Sequence, residues 1–129
     1  MVEIRKCNIC GQMVGVIKKT GAPLVCCGVI MEEVIAGTGD GANEKHVPYV
    51  TMIDNKHASI QIGEILHPSS ELHHIEWIIV ETNLRTIRYP LNAFEEPKRV
   101  FELALNLNEM IINVYENCNL HGLYKWSAK

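Results

Sequence analysis

The stretch Ile75-Glu76-Trp77-Ile78-Ile79-Val80 is the clearest indication of the fold class of this chain. It is short, largely apolar and rich in β-branched and aromatic side chains, which is typical of a β-strand with a buried face. Stretches of similar character lie on both sides of it, at residues 47–53, 58–66 and 84–89. Several short strands separated by turns, about 10 residues apart, predict a mainly β protein built as a sandwich.

Residues 98–116 fit two patterns. One is a helical stripe, formed by Val100, Ala104, Leu107, Ile111 and Val114. The other is a pair of strands joined by a turn at Asn106-Leu107-Asn108. Periodicity alone does not separate these alternatives. The asparagines and the β-branched residues favour strands, so we predict a β-hairpin in this region.

Length and composition limit the classes of protein to which the chain can belong. Its 129 residues are enough for one ordinary domain, or for one domain and a small module. A net charge of −3 argues against a nucleic-acid-binding surface. The chain contains no apolar run of roughly 18 residues that would cross a membrane. Residues 1–7 lack the apolar core of a signal peptide, so we expect a cytoplasmic protein.

Residues 1–35 contain four of the five cysteines. A module of fewer than about 40 residues usually needs a metal or disulfides to fold. Residues 36–43 follow, with three glycines within five positions, and predict a linker or a turn-rich connection. A phosphate-binding loop is disfavoured because no Lys-Ser or Lys-Thr pair closes it. We therefore divide the chain into a four-cysteine module, residues 1–37, and a β-domain, residues 38–129.

Cys7-Asn8-Ile9-Cys10 and Cys26-Cys27 supply the ligands that such a module needs. A Cys-x-x-Cys turn presents two sulfurs on one side, and a second pair completes a tetrahedron suited to zinc or iron. The odd total of five cysteines and a reducing compartment argue against disulfides. Spacing does not separate zinc from iron, although adjacent cysteines are uncommon in zinc ribbons and favour iron.

A second group of metal-ligating residue types lies in three short motifs of the β-domain. The group consists of His46, His67, His73, Cys118 and His121. Zinc usually takes four ligands, so five donors of mixed softness favour iron with one open position. Neutral imidazoles and one thiolate around ferrous iron leave a net positive charge, which attracts a small anion.

The remaining histidines are weaker candidates. His73 and His74 are consecutive, so in a strand they face opposite ways and only one can reach the same metal. His73 shares its face with apolar neighbours and is the better candidate, whereas we expect His74 to be half-exposed. His57 lies beside the turn at residues 54–56, and we expect it to be solvated.

Glu44 and Lys45 directly precede His46. One interpretation is a solvated pair of charges. In the other, Lys45 attracts an anion and organises a water near the open position. Glu44 would then occupy that position when the iron is ferric and leave it when the iron is reduced.

These motifs together resemble desulfoferrodoxin, the two-iron class of superoxide reductase. The N-terminal module is similar to a desulforedoxin at Cys7-Asn8-Ile9-Cys10-Gly11 and at Leu24-Val25-Cys26-Cys27-Gly28, with Met31 a little beyond. The β-domain resembles the family at five motifs, namely Asp40-Gly41-Ala42, Glu44-Lys45-His46-Val47-Pro48, His67-Pro68, His73 with Ile75-Glu76-Trp77, and Cys118-Asn119-Leu120-His121-Gly122. Residues 82–116 contribute little.

The resemblance implies two iron centres and an immunoglobulin-like sandwich after the desulforedoxin-like module. The first iron is expected on Cys7, Cys10, Cys26 and Cys27. The catalytic iron is expected on four equatorial imidazoles and one axial thiolate, from His46, His67, His73, His121 and Cys118. Superoxide is then reduced to hydrogen peroxide, with Lys45 assisting attraction and protonation and Glu44 able to ligate ferric iron. An electron donor such as rubredoxin and a homodimer are also implied.

The chain departs from the family pattern in two places. Ser69-Ser70-Glu71-Leu72 stands where many relatives have methionine and charged residues, and Tyr124-Lys125-Trp126 stands where a Trp-Lys pair is common. Neither change removes a ligand. Two other functions fit the residues: an electron carrier that uses only the four-cysteine iron, and a non-redox zinc-binding scaffold.

Overall fold

The computed structural model describes residues 2–37, 39 and 41–129. Over these residues the protein is mainly β, and the chain divides into two compact units, Met1–Ile35 and Ala36–Lys129. Asp40, which belongs to one motif of the resemblance, lies outside the described residues. No helix within the described ranges is long and apolar enough to cross a membrane.

The N-terminal unit is built from short strands. These are β1 (Ile4–Lys6), β2 (Met13–Gly15), β3 (Val25–Cys26), β4 (Val29–Ile30) and β5 (Glu32–Glu33). β1 lies between β2 and β5 in an antiparallel sheet, and β3 pairs with β4. The turn between β3 and β4 is Cys27-Gly28, whose φ angles of 53° and 75° are both positive. Two-residue hairpin turns favour this geometry because it matches the twist of the flanking strands.

The apolar core of the N-terminal unit is small. Among its described residues the buried hydrophobic side chains are Ile4, Cys7 and Met31. So little buried apolar surface offsets only a minor part of the conformational entropy that folding costs. A metal that crosslinks several cysteines would supply the missing stabilisation.

The second unit contains the β-sandwich. Its elements are α1 (Asn43–His46), β6 (Pro48–Met52), β7 (His57–Ile62), β8 (Ile75–Thr82), β9 (Thr86–Pro90), β10 (Lys98–Glu102), a 3-10 turn (Leu105–Leu107), β11 (Ile111–Cys118) and β12 (Gly122–Ser127). The helical turn α1 was not expected from the sequence, which reads as mostly β from residue 44.

Two antiparallel sheets form the sandwich, with strand orders β10-β7-β6 and β12-β11-β8-β9. Alternation along β7 explains how one sheet contributes to the core, because Ala58, Ile60 and Ile62 are buried while the residues between them are half-exposed. The core also takes Ile75, Ile78, Val80, Phe101, Val114 and Cys118 from the other strands, and Leu91 and Leu103 from the positions that directly follow β9 and β10. The buried thiol of Cys118 therefore belongs to the hydrophobic core.

The four strands predicted between residues 47 and 89 are confirmed as β6, β7, β8 and β9. Residues 98–116 also form strands, as expected, but the predicted hairpin is wrong. β10 pairs with β7 in one sheet, whereas β11 pairs with β8 and β12 in the other. Residues 103–110 cross between the sheets, which lets Phe101 and Val114 contribute to the same core from opposite sides.

Candidate metal centres

The four cysteines of the N-terminal unit converge on one point. Their sulfur atoms all lie within 4.8 Å of one another. The sulfur of Cys26 lies 3.6 Å from that of Cys10 and 3.9 Å from that of Cys27. A tetrahedral metal with bonds of about 2.3 Å has sulfur–sulfur edges of about 3.8 Å, whereas a disulfide bond is about 2.0 Å long. The arrangement therefore fits a metal ion.

The electrostatics of these thiols also favour a bound cation. The backbone N–H groups of Cys10 and Ile9 lower the pKa of Cys7 to about 6, because they stabilise its thiolate. Hydrogen bonds with Cys10 and Cys7 raise the pKa of Cys26 to about 12. Closely spaced sulfurs cannot all ionise without a cation that offsets their mutual repulsion.

In the second unit, backbone carbonyls orient the rings of His46 and His67. His46 is the last residue of α1, and its Nδ1–H donates to the carbonyl oxygen of Ala42 at 2.7 Å. His67 follows β7, and its Nδ1–H donates to the carbonyl oxygen of Pro68 at 2.7 Å. These bonds leave the Nε2 lone pairs available for a metal. The two Nε2 atoms lie 3.2 Å apart.

The hairpin between β11 and β12 brings Cys118 and His121 together. Cys118 pairs with Gly122 across the base of the loop, and Gly122 has a φ of 85°, which glycine adopts without strain. Nδ1 of His121 lies 3.8 Å from the sulfur of Cys118 and 3.0 Å from Nε2 of His46. The three-residue spacing of this motif is thus the spacing of a tight hairpin loop.

His73 completes the cluster from the segment that leads into β8. Its ring centroid lies 4.6 Å from that of His67 and 5.1 Å from that of His121. Its Nε2 atom is buried and has no hydrogen-bond partner among the residues that the structure describes, an arrangement that costs free energy unless a ligand occupies it. The donor atoms of His46, His73, Cys118 and His121 lie within 4.8 Å of one another. The residues therefore fit a metal ion here as well.

Burial sets the protonation of this cluster. It lowers the pKa of His67 to about 4 and also lowers the pKa values of His46 and His73, with further lowering from neighbouring charges. These rings are therefore neutral near pH 7, as metal ligands must be. Burial raises the pKa of Cys118, so its thiolate requires a nearby cation.

Asn119 joins the two segments that carry His73 and Cys118. Its Oδ1 accepts a hydrogen bond from the backbone N–H of His74 at 2.9 Å, and its Nδ2 donates to the carbonyl oxygen of Leu72 at 3.0 Å. Its own backbone N–H donates to the carbonyl oxygen of His74 at 3.1 Å. Asn119 lies within the motif at residues 118–122, but the sequence alone gives no indication of this role.

The other residues singled out from the sequence have these positions. Glu44 and Lys45 are exposed on α1, beside His46. Nδ1 of the half-exposed His74 lies 3.0 Å from the carbonyl oxygen of Ser70. His57 begins β7, and its side chain lies 3.0 Å from the carboxylate of the turn residue Asp54.

The described residues of the glycine-rich segment form a turn-rich connection within the second unit. The backbone N–H of Gly37 donates to the carbonyl oxygen of Leu123 at 2.8 Å. A Cβ placed on Gly41 would lie 2.6 Å from Cε1 of His46 and 2.9 Å from Cβ of His121. The backbone of Gly41 therefore lies directly against two rings of the cluster. In the sequence, the three closely spaced glycines indicate a place where the backbone can approach other groups closely.

Comparisons with known proteins cover nearly the whole chain. A family model described as Desulfoferrodoxin matches residues 38–127, and one described as Desulfoferrodoxin, N-terminal domain, matches residues 1–34. The desulfoferrodoxin of Syntrophotalea carbinolica is 36% identical over 128 residues, which are 99% of this chain and 96% of that protein. The superoxide reductase of Pyrococcus horikoshii is 28% identical over 103 residues, covering 68% of this chain and 89% of that protein.

A solved structure has the same fold. The crystal structure of the superoxide reductase from Treponema pallidum matches with a TM-score of 0.78 and 24% identity, over 98% of this chain and 99% of that one. At this identity the likeness shows the fold alone. The two family models and the relatives of more than 30% identity establish a closer relationship. This chain belongs to the desulfoferrodoxin family.

Proposed function

We propose that this chain is a superoxide reductase. The observation that carries the proposal is the convergence of four imidazoles and one thiol in the second unit, where the closest ring nitrogens are 3.0 Å and 3.2 Å apart. Membership of the desulfoferrodoxin family and similarity to proteins named superoxide reductase support it. One superoxide, one electron and two protons would give one hydrogen peroxide.

We assign the catalytic iron to His46, His67, His73, His121 and Cys118. These residues would hold ferrous iron, which would supply one-electron reducing chemistry for superoxide. The backbone carbonyls of Ala42 and Pro68 hold two of the imidazoles with Nε2 free. The thiolate of Cys118 would increase electron density at an iron held there and so favour electron donation.

Lys45 and Glu44 are the residues that we propose to act on the substrate side. Both are exposed. Burial is the main cause that lowers the pKa values of His46 and His73, and the positive charge of Lys45 lowers both a little further. Lys45 therefore lies within electrostatic reach of both rings. A cation there would attract superoxide and assist proton supply, although the whole chain carries a net charge of −3. Glu44 would ligate the ferric iron.

We propose a second iron on Cys7, Cys10, Cys26 and Cys27. The sulfur geometry supports a tetrahedral metal ion, and membership of the family supports iron. We also propose that the functional division of the chain lies between residues 37 and 38, with a desulforedoxin-like module before it and the catalytic domain after it. The family models, which match residues 1–34 and 38–127, support that division.

A net reduction of superoxide consumes one electron per turnover, so the enzyme needs an external donor. We propose a small electron-transfer protein such as rubredoxin for this part. We further propose a cytoplasmic protein that forms a homodimer. The free cysteines support a reducing compartment, and resemblance to the family supports the dimer.

The proposal is tested with the full chain loaded anaerobically with iron. We expect two irons per chain and rapid oxidation of the ferrous second site by superoxide, with one hydrogen peroxide formed and no oxygen. Cys118→Ser should abolish this reaction, because it removes the thiolate. Cys10→Ser serves as the matched control, since it disturbs the four-cysteine site and should leave the ferrous second site reactive.

Other outcomes identify the alternatives. If ferrous iron in the second site does not react with superoxide while the four-cysteine iron is reduced and oxidised normally, the chain is an electron carrier. If both sites take zinc and refuse iron under anaerobic conditions, the chain is a zinc-binding scaffold. Full activity of Cys118→Ser would contradict the assignment of the thiolate.

A further inference from the structure

The hydroxyl of Tyr124 binds both backbone groups of a residue far away in the sequence. Tyr124 lies on β12 and is 1% exposed. Its oxygen accepts a hydrogen bond from the backbone N–H of Gly41 at 3.0 Å and donates to the carbonyl oxygen of Gly41 at 3.3 Å. One buried hydroxyl thus fixes the backbone at Gly41, at the end of the glycine-rich segment.

Gly41 in turn lies against the imidazoles of His46 and His121. A Cβ at this position would come within 2.6 Å of His46 Cε1 and within 2.9 Å of both Cβ and Cγ of His121. Atoms this close leave no free space between backbone and rings. Any shift of Gly41 would therefore alter the space available to two proposed iron ligands.

Ala42, the residue after Gly41, determines which ring nitrogen of His46 carries the proton. The carbonyl oxygen of Ala42 accepts the hydrogen bond from His46 Nδ1 at 2.7 Å, and this bond selects the tautomer with a free Nε2. The ring of Tyr124 also packs on that of His46, with 4.8 Å between the centroids and 35° between the planes. Tyr124 thus constrains His46 by direct packing and through Gly41 and Ala42.

We propose that Tyr124 is a positioning residue for the catalytic iron, acting on His46 and His121 through its hydrogen bonds to Gly41. This inference rests on the proposed function insofar as those histidines are iron ligands. Residues that orient metal ligands typically change metal affinity by about 10-fold to 100-fold when they are removed. We expect the lower part of that range, because Tyr124→Phe keeps the ring that packs on His46.

The test compares Tyr124→Phe with the wild type, both loaded with two irons. The measurements are the rate at which a chelator removes iron from the histidine-cysteine site, and the position of the thiolate-to-iron absorption band after oxidation. We expect iron loss about 10-fold faster and a shifted or broadened band, with an unchanged spectrum of the four-cysteine iron. A role confined to global stability would leave the band of the folded protein unchanged.

Tyr115→Phe is the matched control. Tyr115 is also buried, at 4% exposure, and lies on the adjacent strand β11, with its hydroxyl 3.5 Å from the carboxylate of Glu81. We expect its iron retention and its absorption band to match those of the wild type. The inference is overturned if Tyr124→Phe also matches the wild type in both measurements.

A second variant keeps the test decisive if Tyr124→Phe does not fold. Gly41→Ala retains the hydroxyl but places a methyl group against His46 and His121, and should produce the same faster iron loss and altered band. Wild-type behaviour of Gly41→Ala would then refute the inference. If wild-type iron binds but never reacts with superoxide, the proposed function fails, while iron retention in these variants still decides the role of Tyr124.

Discussion

Glu109→Gln tests how strongly one buried carboxylate stabilises the crossover between the two sheets. Glu109 precedes β11 and its side chain is fully buried. Its carboxylate accepts hydrogen bonds from Arg85 at 2.7 Å and 2.9 Å, from the Thr82 hydroxyl at 2.8 Å and from the backbone N–H of Ala104 at 3.0 Å. We expect glutamine to destabilise the sandwich, because its amide N–H₂ would face donors.

The size of the effect follows from the pKa of Glu109. Hydrogen bonding to Arg85 is the largest cause that lowers this pKa, from 4.5 to about 2. A shift of this size corresponds to at most about 3 kcal/mol of free energy of unfolding. Because the Arg85 side chain is 45% exposed and partly screened by solvent, we expect about 2 kcal/mol at pH 7.

The pH dependence has a definite sign. A carboxyl whose pKa is lower in the folded state stabilises fully above its unfolded pKa of 4.5, and its contribution disappears as the pH falls towards about 2. The difference between wild type and Glu109→Gln should therefore be constant from pH 7 to pH 5 and should shrink at lower pH.

Urea unfolding of the metal-loaded protein measures this difference. Tryptophan fluorescence reports on the sandwich, because Trp77 and Trp126 lie on β8 and β12. The urea midpoint should fall by about 1–2 M at pH 7. Glu102→Gln is the control, since Glu102 pairs with Lys56 at 2.9 Å on the exposed surface and should change the midpoint little. Equal midpoints for Glu109→Gln and wild type would refute the reasoning.

The remaining predictions concern the proposed iron site. Lys45→Ala should slow the second-order reaction with superoxide and flatten its dependence on ionic strength in stopped-flow experiments; an unchanged salt dependence would assign Lys45 to the solvated surface. Glu44→Ala should leave that first encounter intact and alter the ferric absorption spectrum, and an unaltered spectrum would remove Glu44 from the ligands. Asn119→Ala removes two side-chain hydrogen bonds to residues 72–74 and should destabilise the sandwich by about 1–2 kcal/mol. Urea unfolding measures this loss, with Asn92→Ala as an exposed control. Equal urea midpoints for Asn119→Ala and the wild type would contradict this prediction.

Local patterns in the sequence were sufficient to predict strands but not their partners. The alternation at residues 58–62 predicted β7, because side chains that alternate along a strand are buried on one face. The short apolar run at residues 75–80 predicted β8, a largely buried strand. The pairing of residues 98–102 with β7 instead of β11 depends on which sheet each strand enters. Such long-range pairing leaves no local signal, so the predicted hairpin was wrong.

The same contrast applies to the metal sites. Residue type and spacing supplied the donors, because thiolates and imidazoles are the common soft and borderline ligands and Cys118 and His121 lie in one hairpin loop. The contact between His46 and His121, which are 75 positions apart, could not be predicted from the spacing of residues in the sequence.

The amino-acid sequence already specifies the donor atoms of this protein and the apolar pattern of its strands. The donors are four sulfurs near the N-terminus and a mixed set of five in the β-domain. The way in which those donors are held depends on the folded chain. The tertiary structure selected the Nε2 atoms of His46 and His67 through backbone carbonyls, and it placed Gly41 against two imidazoles under the hydroxyl of Tyr124. The physical reason is that donor identity is a property of single residues, whereas ring orientation depends on hydrogen bonds between segments that only the folded chain brings into contact.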